Sequence, residues 1–255
     1  MAQPPTLPLL ISSLTALSLP TPTSLFLNPI LTPSSHRPPP PLAALTATAK
    51  HRLLSASITS TPSSPSILIP STPSFPTNIS EVRIQERVLD QDIFVQVVDI
   101  LDLGRGKWEQ IESLEAQRKG ESMKGREIIR VAPVEQDQDA SSTSTQVLPN
   151  GQARNTSGDK GSKGPFKLLL QDWKGVVVWG FEVRKVERIM MPPGMGIGCK
   201  LLLKRGVKVA RGMVLLEPGK VVVLGGKIEG MDKAWRGERE ERLRKEVVEE
   251  RGVEG

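Results

Sequence analysis

Alternating apolar and polar positions predict a series of short β-strands in the second half of the chain. From residue 93, Ile93, Val95 and Val97 occupy every second position, as the core-facing residues of a half-buried strand do. The runs 166–171 and 176–183 flank a four-residue turn and predict a hairpin. Further apolar runs bounded by Gly or Pro follow at 199–203, 207–210, 213–216 and 221–224. Short strands at this spacing indicate a mainly β fold, a small barrel with five principal strands.

A long insertion interrupts the predicted barrel after its first strand. Residues 102–165 separate that strand from the next, whereas barrel connections normally need only a few residues. Inside the insertion, the spacing of Trp108, Ile111 and Leu114 predicts a short helix ending near residue 120. The rest of the insertion predicts a strand at 127–131 and a disordered segment over 135–164. Long insertions on compact barrels often carry function, so this one is a candidate binding element.

The first 80 residues differ in composition from the rest of the chain. They contain 16 of the 22 prolines, none of the 22 glycines and no Asp or Glu. Because proline blocks helix interiors, residues 1–41 are expected to form an extended or disordered arm. An organellar presequence is an alternative for this Ser-rich arm, although its first basic residue is Arg37. Apolar residues at helical spacing predict one helix over 42–57, and residues 58–80 are interpreted as a linker.

The end of the chain predicts a charged helix. Residues 236–251 contain 12 charged residues out of 16, and acidic residues repeatedly precede basic ones by four positions. Only Trp235, Leu243 and Val247 offer apolar contacts, so this helix is expected to be largely solvated. The predicted division is a disordered arm (1–41), a helix with a linker (42–80), a barrel domain (81–235) containing the 102–165 insertion, and a charged helical tail (236–255).

The residue types that catalysis and metal binding commonly use are scarce. The single cysteine, Cys199, excludes a disulfide framework and a Cys-rich zinc site, and both histidines lie in the first 51 residues. The glycine-rich run at 194–200 lacks the spacing of a phosphate-binding loop. Asp99 and Asp102 could form a carboxylate pair, but no nucleophile or base accompanies them. No apolar run reaches the ~18–20 residues that span a bilayer. We therefore expect no catalytic site, metal, cofactor or membrane span.

Basic residues concentrate in the second half of the predicted barrel. Residues 195–228 contain seven Lys or Arg and a single acid, Glu217. Some of these side chains should share a face suited to phosphates. The candidate DNA-facing surface consists of Lys200, Lys204, Arg205, Lys208 and Arg211. Single-strand binders also need aromatic stacking platforms, and residues 182–234 contain no aromatic residue. The barrel is therefore expected to serve mainly protein contacts, with DNA affinity secondary.

Several sequence blocks, taken in order, resemble one known family. The blocks are QVVDI at 96–100, LLLQD at 168–172, WGFE at 179–182, MPPG at 191–194, KLLL at 200–203, RGMVLLEP at 211–218 and VLGGKIE at 223–229. They resemble the N-terminal oligonucleotide/oligosaccharide-binding (OB) fold of the RecQ-mediated genome instability protein 1 family, especially its fungal members. The last two blocks are the most specific. The resemblance covers roughly residues 92–235.

The resemblance implies a non-catalytic scaffold or regulatory subunit in the nucleus. Such proteins join a RecQ-family DNA helicase and a type IA topoisomerase III in the complex that dissolves double Holliday junctions. In that family the long loop after the first strand reaches the topoisomerase and influences opening of its DNA gate. The corresponding partner-binding residues here would be Lys107, Trp108, Arg118, Lys119, Lys124, Arg126 and Arg130. DNA would be bound weakly or through the complex, and no membrane or cofactor would be involved.

Other interpretations stay open beside this one. A stand-alone single-stranded nucleic-acid-binding OB protein is the main alternative, and an organellar enzyme with a cleaved presequence is a third. The chain also departs from the family pattern in two ways. Its Pro-rich residues 1–41 disfavour a three-helix N-terminal domain, and no second OB domain of the kind found in animal relatives is expected.

Overall fold

A computed structural model describes residues 6–32, 40–60, 65–119 and 162–253, with side chains up to residue 250. Its five helices are α1 (Leu7–Ala16), α2 (Ser24–Leu31), α3 (Leu42–Ser55), α4 (Lys107–Arg118) and α5 (Glu229–Val253). Its eight strands are β1 (Glu86–Val88), β2 (Ile93–Asp102), β3 (Phe166–Gln171), β4 (Val177–Glu182), β5 (Lys200–Leu203), β6 (Lys208–Ala210), β7 (Met213–Leu216) and β8 (Val221–Gly225). The strand predicted at 127–131 lies outside the described residues, as does most of the segment 135–164.

The N-terminal residues form helices, so the expectation of an extended or disordered arm is wrong for residues 7–31. Proline in the first turn of α1 is compatible with a helix, because the first turn needs no intrahelical N–H donor. The side chain of Thr23 caps α2 by accepting from the Phe26 N–H at 3.4 Å. Leu10, Leu14 and Leu27 are fully buried against α3, the predicted helix. The three-helix unit that the proline content disfavoured is therefore present.

In its described residues, 58–60 and 65–80, the predicted linker is irregular chain that packs onto the rest of the protein. Leu68, Phe75 and Ile79 are buried. The backbone N–H of Thr23 donates to the Ile67 carbonyl at 2.8 Å, which ties this segment to the α1–α2 connection. The buried carboxylate of Asp172 accepts from the Phe75 N–H at 2.8 Å and so ties it to the β3–β4 turn.

Strand β2 separates two hydrophobic cores and is buried on both faces, whereas its alternating pattern predicted a half-buried strand. Ile93, Val95 and Val97 are buried in the core enclosed by the sheet. Phe94 points the other way and is buried in a second core with α1, α2 and α3. The predicted hairpin is also present, since β3 and β4 pair in antiparallel fashion with Leu168 opposite Gly180. The mainly β character of the fold is confirmed.

The sheet contains eight strands among the described residues, so the expected count of five is wrong. The difference arises because one long hairpin is interrupted: Val209 lies opposite Val214 and, in almost the same register, Leu203 lies opposite Val221. Strands β5 and β6 thus form one arm of the hairpin, and β7 and β8 form the other. Strand β5 pairs with β2 and β7 pairs in parallel with β4, so the hairpin contacts both outer strands of the β2–β3–β4 meander. These pairings curl the sheet around its core, and β1 is an additional edge strand on β6.

The charged helix α5 begins earlier than predicted and lies along α4. Trp235 and Leu243 are buried. The start of α5 is joined to the β4–β5 connection through Asp232, whose carboxylate accepts from the Ile197 N–H at 2.9 Å. The expectation of a largely solvated helix is therefore wrong for the face that α5 turns towards α4. No helix in the described part of the chain combines the length and apolar character needed to cross a membrane.

Candidate partner-binding site

The long insertion leaves and re-enters the sheet at one point. Just beyond β2 the Leu103 N–H donates to the Pro165 carbonyl at 3.0 Å. The buried carboxylate of Asp102 accepts from the Gly104 N–H at 3.0 Å and from the Ser162 hydroxyl at 2.6 Å. A Cβ at Gly104 would lie 2.3 Å from the Gly164 carbonyl oxygen, so only glycine allows this approach. The two ends of the insertion are thus joined where β2 ends and β3 begins.

Helix α4, the first part of the insertion, is held in place from both sides. The buried side chain of Gln110 donates through Nε2 to the carbonyls of Asp102 at 3.1 Å and Arg105 at 2.9 Å. Its Oε1 accepts from Nη2 of Arg239 on α5 at 2.6 Å. Arg244 of α5 forms an ion pair with Glu115 of α4. These contacts fix α4 against α5, so the insertion starts from a defined base.

The predicted partner-binding residues that the structure describes lie on α4 and directly after it. Lys107 forms ion pairs with Glu246 at 2.9 Å and Glu250 at 2.5 Å on α5. Partial burial opposes protonation of Lys107, but the hydrogen bonds to these two glutamates prevail and raise its pKa. Arg118 reaches Glu240 of α5 only at 3.7 Å and is largely exposed. Lys107 and Arg118 thus contact α5 as well as solvent.

Trp108 and Lys119 are exposed beside these ion pairs. Trp108 has 48% of its surface accessible, although Ile111 on the same helix is buried. The predicted apolar face of this helix is therefore only partly used in packing. The remaining predicted partner residues, Lys124, Arg126 and Arg130, lie outside the described residues. In the described part of the insertion, Trp108, Arg118 and Lys119 are the predicted residues with exposed side chains.

The predicted DNA-facing surface loses its first member, because Lys200 is fully buried. Lys200 lies on β5 opposite Gln96 of β2, on the side of the sheet that α3 covers. Its ammonium group donates to the carbonyls of Gly198 at 2.6 Å and Leu54, at the end of α3, at 3.3 Å. Burial lowers the pKa of Lys200 to about 8. Lys200 joins the helical unit to the sheet and is unavailable to DNA.

The other four residues of that surface are exposed near the β5–β6 and β6–β7 connections: Lys204, Arg205, Lys208 and Arg211. Lys208 forms an ion pair with Glu86 of β1 at 2.9 Å. The hydrogen bond to this carboxylate raises the pKa of Lys208. The surface is thus basic but smaller than predicted, and part of its charge is neutralised.

The structure assigns structural partners to the two aspartates that could have formed a carboxylate pair. The carboxylate of Asp99 accepts from the Trp235 indole N–H and, at 3.0 Å, from Nη1 of Arg242. Asp102 closes the base of the insertion, as described above. Among the described residues, no group of three or more His, Cys, Asp or Glu side chains is arranged to hold a metal ion. The two carboxylates position α5 and the insertion.

Sequence reasoning missed the role of α5 in this site. Trp235, Arg239 and Arg242 are spaced by four and three residues, so they share one helix face. That spacing was the available signal. This shared face was overlooked because a helix with so many charged residues is usually solvated.

The curled sheet and the long insertion, whose helix α4 packs on α5, define an OB-fold module with an anchored insertion. A sequence model described as "RMI1, N-terminal OB-fold domain" matches residues 75–239. The chain belongs to this family. It is also 30% identical over 152 residues to RecQ-mediated genome instability protein 1 of Schizosaccharomyces pombe (strain 972 / ATCC 24843), and the match covers 60% of this chain and 60% of that relative. The resemblance inferred from the sequence blocks is confirmed.

Proposed function

We propose that the protein is a non-catalytic scaffold and regulatory subunit of a complex between a RecQ-family DNA helicase and a type IA topoisomerase III. In this role it stimulates dissolution of double Holliday junctions and supports recombination repair and genome stability in the nucleus. Membership of the family and the name of the Schizosaccharomyces pombe relative, which refers to RecQ-mediated genome instability, support the proposal.

The observation that carries the regulatory part is the base of the insertion. Asp102, Gly104 and Ser162 join its two ends, and α5 holds α4. A segment anchored in this way can contact a partner without displacing the sheet. If it contacts the topoisomerase only when the DNA gate is open, binding shifts the gate equilibrium towards opening. Trp108 and Lys119 are suitably exposed to contribute to such contacts.

The test compares the full chain with a variant in which residues 120–161 are replaced by a Gly/Ser linker. Helix α4 has 12 residues. It is therefore about 18 Å long at about 1.5 Å per residue, which a flexible linker of ~12 residues spans. The variant retains the sheet, α4 and α5. Each protein is purified with topoisomerase III and the RecQ helicase from the same source, and dissolution of a double Holliday junction is measured.

We expect both proteins to form the complex and only the full chain to stimulate dissolution. Failure of the full chain to form any complex would contradict the scaffold role. Equal stimulation by both proteins would contradict a regulatory role of residues 120–161, because the variant retains α4, Trp108 and Lys119. Binding of both proteins to oligo(dT) is measured without the enzymes. This measurement distinguishes the scaffold role from the alternative, a stand-alone single-strand binder. That alternative requires tight binding, whereas we expect weak binding because residues 182–234 contain no aromatic residue for stacking.

A further inference from the structure

A large cleft lies beside the base of the insertion. Its volume is about 1040 Å³, and its walls come from α4, the N-terminal half of α5 and the connection between β4 and β5. The volume matches the upper range of small-molecule pockets, about 300–1,000 Å³, and can accommodate several side chains of a peptide. We call it the basic cleft, because its lining contains one acid, Asp102, and six basic residues: Arg105, Lys163, Lys185, Arg188, Arg236 and Arg239.

Half of these cations have no carboxylate partner in the described part of the chain. Arg105, Lys185 and Arg236 form ion pairs with neighbouring glutamates or an aspartate. Lys163, Arg188 and Arg239 form none with the residues that the structure describes. The single acid of the lining, Asp102, is already hydrogen-bonded at the base of the insertion. The cleft therefore carries uncompensated positive charge.

Arg239 is a half-buried cation in the lining of the cleft. Its guanidinium lies 4.7 Å from the ring centre of Trp235 and donates to Gln110 at 2.6 Å. Burial lowers the pKa of Arg239 to about 10, and the nearby charge of Asp102 only partly opposes this effect. A guanidinium has five N–H donors arranged to bind a carboxylate through two parallel hydrogen bonds. A carboxylate entering the cleft would supply the acceptors that Arg239 lacks.

The rest of the lining is apolar and adaptable. Met190 is 41% exposed, and Met191, Pro192 and Leu114 contribute further apolar surface. Methionine fits apolar partners of varied shape because it is unbranched and flexible. The cleft thus offers an apolar floor beside a cluster of cations.

This combination favours a peptide over a nucleic acid. A single strand would need aromatic faces for base stacking, but the only aromatic lining residue among those described is Trp235, which is 7% exposed. Arg239 and Arg242 lie over its ring at 4.7 and 5.5 Å. Nucleic-acid bases therefore have no platform in the cleft, whereas a carboxylate and an apolar side chain both have complementary partners.

We propose that the basic cleft binds a short segment of a partner protein that carries carboxylates next to an apolar side chain. This inference goes beyond the scaffold role, since it assigns a second contact surface and the chemistry of its ligand. It also involves a different side of α4 from Trp108 and Lys119.

The test uses the full chain and a random library of peptides of about 12 residues. An extended peptide of this length measures about 40 Å, which is enough to cross the cleft. Peptides retained by the unaltered protein are sequenced, and the most enriched one is synthesised with a fluorescent label. Its affinity is measured for the full chain, for the double variant Lys163→Gln/Arg188→Gln, and for the matched double variant Lys204→Gln/Arg205→Gln. Both variants lose one Lys and one Arg, and the second pair lies on the surface that the sequence nominated for DNA.

We expect the enriched peptides to combine Asp or Glu with an apolar residue. The cleft variant should bind the labelled peptide about tenfold more weakly, and the matched variant within about twofold of the full chain. Equal unfolding midpoints show that both variants remain folded. The proposal is overturned if the enriched peptides are not acidic or if both variants bind equally. It is also overturned if oligo(dT) binds in the cleft in place of peptide, or if peptides bind only after residues 120–161 are replaced, since the chain itself then occupies the cleft.

Discussion

The sheet carries helices at two places, and the two contacts are built from different chemistry. At the first, α3 and its neighbours cover the outer side of β2 and β5 with an apolar core that includes Phe94 and Leu53. At the second, α5 packs Trp235 onto the core of the sheet and lies along α4 through ion pairs between arginines and glutamates. The first contact is a buried apolar core whose side chains are not accessible to a partner. The second adjoins both the insertion and the basic cleft, where exposed charge can still contact a partner.

The energies of the two contacts should differ accordingly. Burying a large apolar side chain contributes about 1.5–3 kcal/mol, whereas an exposed ion pair contributes about 0–1 kcal/mol. The helix–sheet contact should therefore dominate stability, and the α4–α5 contact should depend mainly on its few buried groups. Four substitutions test this difference, from the largest expected effect to the smallest.

Phe94→Ala should have the largest effect, because it empties a fully packed position between β2 and the helical unit. The free energy of unfolding should fall by about 3–5 kcal/mol. Urea denaturation followed by circular dichroism measures it. The matched control is Leu25→Ala, since Leu25 is 68% exposed and its loss should change the free energy of unfolding by less than about 0.5 kcal/mol. Equal effects of both substitutions would contradict the second core.

Asp99→Ala should have the largest effect where α5 contacts the sheet, since Asp99 lies on β2. It leaves the Trp235 indole N–H and the Arg242 guanidinium without their shared acceptor. Unsatisfied donors of this kind cost about 2–3 kcal/mol in the free energy of unfolding. Asp90→Ala, at an exposed loop position, serves as the control. If the two variants unfold at the same urea concentration, Asp99 does not anchor α5.

Lys200 should make the free energy of unfolding rise with pH above about pH 8. Its pKa is lowered to about 8 by burial, from 10.5. Between these two values the unfolded chain binds more protons than the folded one, so stability rises with pH. The free energy of unfolding should rise by roughly 2 kcal/mol between about pH 7.5 and 10 relative to Lys200→Met. If the free energy of unfolding varied with pH in the same way in both proteins, burial would not lower the pKa of Lys200. Lys204→Met, at an exposed neighbouring position, should follow the unaltered chain.

Glu115→Gln should have the smallest effect, because it removes a partly exposed ion pair between α4 and α5. The expected loss is about 0.2–1 kcal/mol in the free energy of unfolding at low salt. It should vanish near 1 M NaCl, where the screening length is about 3 Å. Glu241→Gln is the matched control, since Glu241 pairs with Lys245 within α5 and bridges no other helix. Retention of the full difference at high salt would contradict an electrostatic origin.

Much of the sheet could be predicted from the sequence, because strand periodicity is a local property. Alternation at Ile93, Val95 and Val97 correctly predicted which residues enter the core, and the turn at 172–175 correctly predicted the β3–β4 hairpin. The helices α3 and α4 were also predicted close to their observed bounds, whereas α5 begins earlier than predicted. The strand count was wrong although the runs 199–203, 207–210, 213–216 and 221–224 each form a strand, because local patterns do not report how strands pair.

The candidate site was predicted less completely. The insertion and its exposed Trp108 were identified, but the anchoring of α4 by Arg239 and the basic cleft were not. Both depend on bringing residues 102–117 next to residues 185–194 and 235–239. The sequence separations are too long for any periodic signal.

By itself, the sequence determined the order of strands, the long insertion, three of the helices and the family. Strand and helix periods of two and 3.6 residues are local properties of the sequence, and so is the spacing of turns. They can therefore be identified without the tertiary structure. Only the tertiary structure decided that α1 and α2 form despite the prolines, that Lys200 is buried, and that α5 holds α4. Each of these depends on burial against distant residues: apolar packing outweighs weak local propensity, and the neighbours across the sheet decide whether a lysine faces solvent.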